Sequence, residues 1–141
     1  EAVDLAERAM AMSSENADYV ALYLTCLRPQ VSDQKMETLI LAAIEVYPDA
    51  SSLSLLEGDL LLAKNNQAGA EEAYEKAYSQ ALTKWDQAAA LNAIGVLWAG
   101  RGSYDKAEAR FAQALRVKPY DAAIRANWLQ ACEDAGRPQV E

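Results

Sequence analysis

One order of large and small residues recurs along this 141-residue chain at steps of about 34 residues. It is clearest between Ala88 and Asp121. The first half of that segment, AAALNAIGVLWAG, sets Leu91, Ile94, Gly95 and Trp98 at three- and four-residue steps, so the four share one helical face. Arg101, Gly102 and Ser103 then break the helix, with glycine available for the left-handed conformation that ends one. The second half, YDKAEARFAQALRVKPYD, places Ala107, Phe111 and Ala114 on one face and stops at Pro119. Proline cannot continue a helix and disfavours helical angles in the residue before it. The unit is therefore helix, turn, helix, with small Gly95 and Ala107 where the two helices need close approach and Trp98 and Phe111 beside them.

The same order appears upstream. In Ser51–Gln87, Gly58 and Leu61 match Gly95 and Trp98, while Ala70, Tyr74 and Ala77 match Ala107, Phe111 and Ala114. Leu82 stands where the closing proline falls elsewhere, and about three residues are added before the next unit. This predicts a longer second helix running towards Trp85. In Ala17–Ala50, Leu24, Leu27, Ile40, Ala43 and Pro48 keep register, with Met36 in place of alanine and Leu24 in place of glycine. Ala2, Ala6 and Ala9 keep phase as a second helix, and Ala122–Ala135 reads as a further first helix broken at Gly136.

This pattern resembles the tetratricopeptide repeat. The resemblance implies an all-α fold, an α–α superhelix of stacked antiparallel helix pairs. The organisation it predicts is 1–16, second helix of an incomplete repeat; 17–50, a divergent repeat; 51–87, a repeat with extended second helix; 88–121, the best-formed repeat; and 122–141, a first or capping helix. A generic helical bundle is the other architecture that amphipathic helices with short turns build.

Composition agrees with helices: 52% of residues are apolar, yet only four prolines and six glycines are present, and alanine is abundant. No stretch reaches the ~20 apolar residues of a membrane span. The net charge of −8 argues against a nucleic-acid partner, which needs clustered cations. That charge is uneven, with fourteen acids and four bases in residues 1–75 but seven acids and nine bases in 76–141. Such a surface either orients a partner or is simply solvated.

Chemistry is sparse. With no histidine, the usual proton shuttle near neutral pH is missing. The two cysteines, Cys26 and Cys132, lie among apolar helix positions as expected for small buried hydrophobes, too far apart in the repeat array for a disulfide and without metal-ligand spacing. Glu71, Glu72 and Glu75 read as solvated helix surface, and no glycine-rich phosphate loop follows a strand. No catalytic residue, cofactor or metal is expected.

By the family resemblance, the first helix of each unit lines a concave wall. The wall residues singled out as a peptide-binding groove are Thr25, Leu55, Asp59, Leu62, Asn92, Val96, Asn127 and Gln130. One subclass of the family grips a C-terminal carboxylate with Lys, Arg and Asn on this wall. Here the wall lacks those cations, so carboxylate clamping is not expected, because a desolvated carboxylate needs charged partners. An apolar patch with amide and acid groups suits an extended peptide or an amphipathic helix instead. Trp85 reads either as a partner anchor or as packing against the next hairpin.

The expected function is a non-enzymatic scaffold or adaptor for a protein or peptide, within a pilus, secretion, maturation or regulatory complex. The alternative is a structural module forming homo-oligomers through array ends or convex faces. The alanine-rich repeats suggest a bacterial source. Half-units at the two ends, and the apolar stripe Ile124, Trp128, Leu129 and Cys132, suggest a piece of a larger protein or self-association at an end. The compartment, cytoplasmic or periplasmic, stays open.

Overall fold

The computed structural model describes residues 17–136, and the helix expected in 1–16 lies outside them. The described residues contain seven α-helices and no strand: α1 (Ala17–Leu27), α2 (Asp33–Val46), α3 (Ser51–Ala63), α4 (Gln67–Gln80), α5 (Lys84–Gly100), α6 (Tyr104–Val117) and α7 (Ala122–Asp134). A 3-10 turn, Arg28–Gln30, follows α1. None of these helices is long and apolar enough to cross a membrane. The chain divides into two compact units at Gln80.

In the first unit, α1 with α2 and α3 with α4 form successive helix pairs, and α3 packs against both helices of the first pair. Val20, Leu24, Leu27, Met36, Leu39, Ile40, Ala43, Leu53 and Leu60 make one buried cluster. Each helix start has a local reason. The Ser32 hydroxyl accepts from Lys35 N–H ahead of α2, and the Asn66 carboxamide accepts from Gly69 N–H ahead of α4. The turn between α3 and α4 needs a left-handed residue, and Asn65 supplies it at φ 63°. The chain's own polar groups then clamp α3 to α4. Buried Ser51 donates to Ala77 O, Ser54 donates to Gln80 Oε1, and Gln80 Nε2 donates to Pro48 O.

Two expectations from the sequence are corrected here. The second helix of 51–87 is not extended towards Trp85. Helix α4 ends at Gln80, and the added residues lengthen α5, which has 17 residues against 13 in α3. The cause is Thr83, whose hydroxyl accepts from Asp86 N–H at 3.1 Å and so starts a new helix. Cys26 is not buried. The core face of α1 runs through Val20, Leu24 and Leu27, which leaves Cys26 exposed, whereas Cys132 is buried as expected.

In the second unit, α6 packs against α5 and α7 packs against α6. Gly102 ends the turn between α5 and α6 at φ 79°, and its N–H and that of Ser103 close on Ala99 O and Trp98 O. Arg101 and Lys106 lie over the Trp98 ring, 4.9 Å and 4.6 Å from its centre. The core joins Ala107, Phe111 and Ala131 with half-buried Trp98 and Trp128. Asp121 caps α7 by accepting from Ile124 N–H at 3.0 Å. That bond and Lys118 hold the Asp121 carboxyl below its ordinary range. Of the last helix's apolar stripe, Ile124 and Cys132 are buried, while Trp128 and Leu129 are half-buried.

The close approach inferred from small residues is visible in both units. A Cβ placed on Gly58 would lie 2.5 Å from Tyr74 Cδ1, and one on Gly95 would lie 2.7 Å from Phe111 Cδ1. Each glycine thus admits an aromatic ring from the paired helix. In the divergent first pair, Leu24 and Ile40 occupy the same two places, and both are buried. Without the glycine, α1 and α2 pack less closely than α3 and α4.

Candidate functional site

The first helices of successive pairs lie side by side within each unit, and polar side chains join them. In the second unit, Asn127 Nδ2 on α7 donates to Asn92 Oδ1 on α5 at 3.0 Å. In the first, Ser52 Oγ on α3 donates to Asp18 Oδ1 on α1 at 2.8 Å. The partners are 35 and 34 residues apart, one repeat in each case.

Of the eight groove residues singled out in the sequence, four belong to the second unit. Asn92 and Asn127 are half-buried, and their mutual bond consumes one acceptor and one N–H of the pair. The Asn92 NH₂ and the Asn127 carbonyl have capacity left for a peptide's C=O and N–H. Val96, one turn beyond Asn92, is exposed, and Gln130, one turn beyond Asn127, is exposed with its amide donating to Asp134 Oδ1 at 3.1 Å. Gln130 is thereby turned along its own helix. Ala89 and Ala123, one turn before the two asparagines, are exposed.

The other four belong to the first unit. Leu55, Asp59 and Leu62 follow one face of α3, the two leucines half-buried. Thr25 is exposed, and its hydroxyl is taken up by Ala21 O of its own helix at 2.8 Å. Asp59 is more constrained than its position in the sequence implies. The Tyr74 hydroxyl, emerging from beneath α3, donates to Asp59 Oδ1. Burial pushes the Asp59 carboxyl above its ordinary value, although the Tyr74 bond and the Arg28 charge pull it back, and one edge of the residue stays open to water. Burial and the Asp59 carboxylate raise the Tyr74 phenol in turn. Tyr74 was not among the groove residues read from the sequence. The legible signal was a pair of differences between the units: Asp59 and Tyr74 stand in one where Val96 and Phe111 stand in the other.

The Asp59 shift predicts a pH dependence. A carboxyl raised in the folded state binds its proton more tightly there, so its contribution favours the fold in acid and is lost as pH rises through that raised value. Asp59→Asn keeps an oxygen for Tyr74 and removes the charge. Its thermal midpoint should exceed the wild-type midpoint at pH 7, with the gap closing towards pH 3. Parallel melts followed by circular dichroism check this, and a gap that widens in acid would contradict the assignment.

Helix pairs in tandem, small residues at the pair contacts and first helices side by side define a tetratricopeptide-repeat fold. Solved structures of that class agree. The chain is similar to TTC0263, a thermophilic tetratricopeptide-repeat protein of Thermus thermophilus, with a TM-score of 0.74 and 18% identity over 93% of this chain and 71% of that one. It is also similar to MamA protein, with a TM-score of 0.71 and 13% identity over 95% of this chain and 72% of that one. The sequence itself matches no family model and no curated protein.

Proposed function

We propose that the chain is a non-enzymatic protein-binding scaffold that takes an extended or helical peptide on the first-helix faces of its repeats, within a larger assembly of the pilus, secretion, maturation or regulatory kind. The carrying observation is the Asn92–Asn127 pair. Two half-buried amides, oriented by each other, offer a donor and an acceptor at a spacing set by the helix packing. A peptide backbone presents the complementary pair. Exposed Val96 offers an apolar contact beside it, and in the first unit Leu55 and Leu62 flank the acidic Asp59. That second face favours a ligand with an apolar side and a basic residue. The fold class and the absence of histidine both fit a scaffold.

Selection from a displayed library of random twelve-residue peptides tests the reading. Peptides enriched on the wild-type chain should bind Asn92→Ala/Asn127→Ala about 10-fold more weakly or worse, since each lost hydrogen bond contributes roughly 0.5–1.5 kcal/mol. Helicity should not change. Equal affinity of the two proteins for every enriched peptide would reject the face.

A further inference from the structure

The stripe of α5 that carries Asn92 continues to the start of the helix. Trp85, Ala89, Asn92 and Val96 recur at steps of four, three and four residues, so they fall within about 60° of one another around the helix axis. None of the four is buried, and Trp85 and Val96 are 67% and 43% exposed. Trp85 owes its place to the Thr83 cap, which starts α5 early enough to add this turn. On α7, Ala123, Asn127 and Gln130 form the matching stripe at steps of four and three. Both stripes lead back to one place. A cleft of about 440 Å³ beside the start of α5 is lined by Trp85 and by the connector residues Val117, Lys118, Pro119, Tyr120 and Asp121, the last being the cap of α7. Between this cleft and the two asparagines, the stripes carry the exposed Ala89 and Ala123.

The cleft selects a neutral, apolar group. Trp85, Val117, Pro119 and the 98% exposed Tyr120 supply its surface, and open aromatic surface of this kind marks contact sites. Its charges are already paired. The Lys118 ammonium sits 4.2 Å from the Trp85 ring centre, where a ligand cation would otherwise stack. It also lies 3.1 Å from Asp121 Oδ2, while Asp121 Oδ1 accepts from Ile124 N–H, so both carboxylate oxygens are engaged. We propose that this cleft takes a large apolar side chain of the same extended peptide whose backbone meets Asn92 and Asn127. Seven residues separate Trp85 from Asn92 and six separate Asp121 from Asn127, which is about 10 Å along either helix. An extended chain covers that distance in about three residues. The ligand therefore carries an apolar anchor about three positions from the residue paired with the asparagines. This rests on the peptide reading of the Asn92–Asn127 face and adds to it the anchor, its chemistry and its register.

Titration calorimetry with peptides enriched on the wild-type chain tests it. Trp85→Ala, and Tyr120→Ala as a second variant, should bind them about 10- to 100-fold more weakly. Helicity should not change, because both side chains are exposed. Trp85→Phe, which keeps an aromatic wall, should stay within about 3-fold of wild type. Alanine scanning of such a peptide should find one large apolar residue whose loss matters on the wild type and on Asn92→Ala/Asn127→Ala, but not on Trp85→Ala. Methylation of each backbone nitrogen should find one N–H, about three residues from that anchor, whose loss matters on the wild type and on Trp85→Ala but not on the asparagine variant. Affinity that depends on the asparagines but on neither Trp85 nor Tyr120 would overturn the proposal and leave the peptide reading standing. Affinity independent of the asparagines would remove that reading and this inference with it. A separation of about seven residues would mean a helical ligand and would overturn the extended register. Unchanged peptide affinity in Trp85→Ala, with a smaller sedimenting mass than wild type, would give the cleft to a second copy of the chain instead.

Discussion

Replacing Gly95 with leucine is expected to lower the unfolding free energy by about 3 kcal/mol. Local propensity alone predicts the opposite, because removing a glycine from a helix interior gains about 1 kcal/mol. The tertiary contact decides the sign. Phe111 is almost wholly buried, and its Cδ1 would stand 2.7 Å from the first carbon of any side chain at position 95. The ring is hemmed in by Ala107 and Ala131, with Trp98 and Trp128 beside them, so it has little room to withdraw. A leucine must push α5 and α6 apart or force the ring off its rotamer. Denaturant midpoints followed by helicity measure the loss. A midpoint at or above wild type would mean that the two helices do not approach as described.

The opposite change at the same contact should be at least as damaging. Phe111→Ala removes a large buried ring and is expected to cost about 3–5 kcal/mol. The residues around the vacated space cannot readily fill it: Ala107 and Ala131 are small, and Trp98 is engaged by Arg101 and Lys106. Tryptophan fluorescence should report the loss as well as helicity does, since two of the three tryptophans flank the ring. The two substitutions are in direct contact and should not add. In Gly95→Leu/Phe111→Ala, the new leucine enters the space the ring left. The double variant should be more stable than the sum of the single losses by about 1 kcal/mol or more. Strict additivity would show that the glycine and the ring are not complementary.

Much of the fold was readable because the signals are local and repeated. Gly95 with Phe111 and Gly58 with Tyr74 stand in the same order, and Gly102 marks the turn by the conformation glycine allows. Asn65 plays the corresponding part after α3 at φ 63° and is harder to read, because asparagine enters that conformation less often. The site was less legible. Asn92 and Asn127 were selected individually from helical phase, but their hydrogen bond needs two helices at a particular offset. The Asp59 carboxylate looked like a free groove charge, whereas Tyr74 takes it from the paired helix. Cys26 looked buried because its neighbours are apolar, yet one residue of rotation separates it from the core face.

By itself, the sequence determined that the chain forms tandem helix pairs and where glycine lets an aromatic ring in. Those features follow from the 3.6-residue turn and from backbone angles, which each short segment carries in its own residues. Only the tertiary structure decided that the three added residues lengthen α5 instead of α4, that Asn92 meets Asn127, and that Trp85 and Tyr120 stand open beside a cleft. These outcomes depend on the offset between helices far apart in the chain. That offset is the sum of many weak packing contacts, and no single segment encodes it.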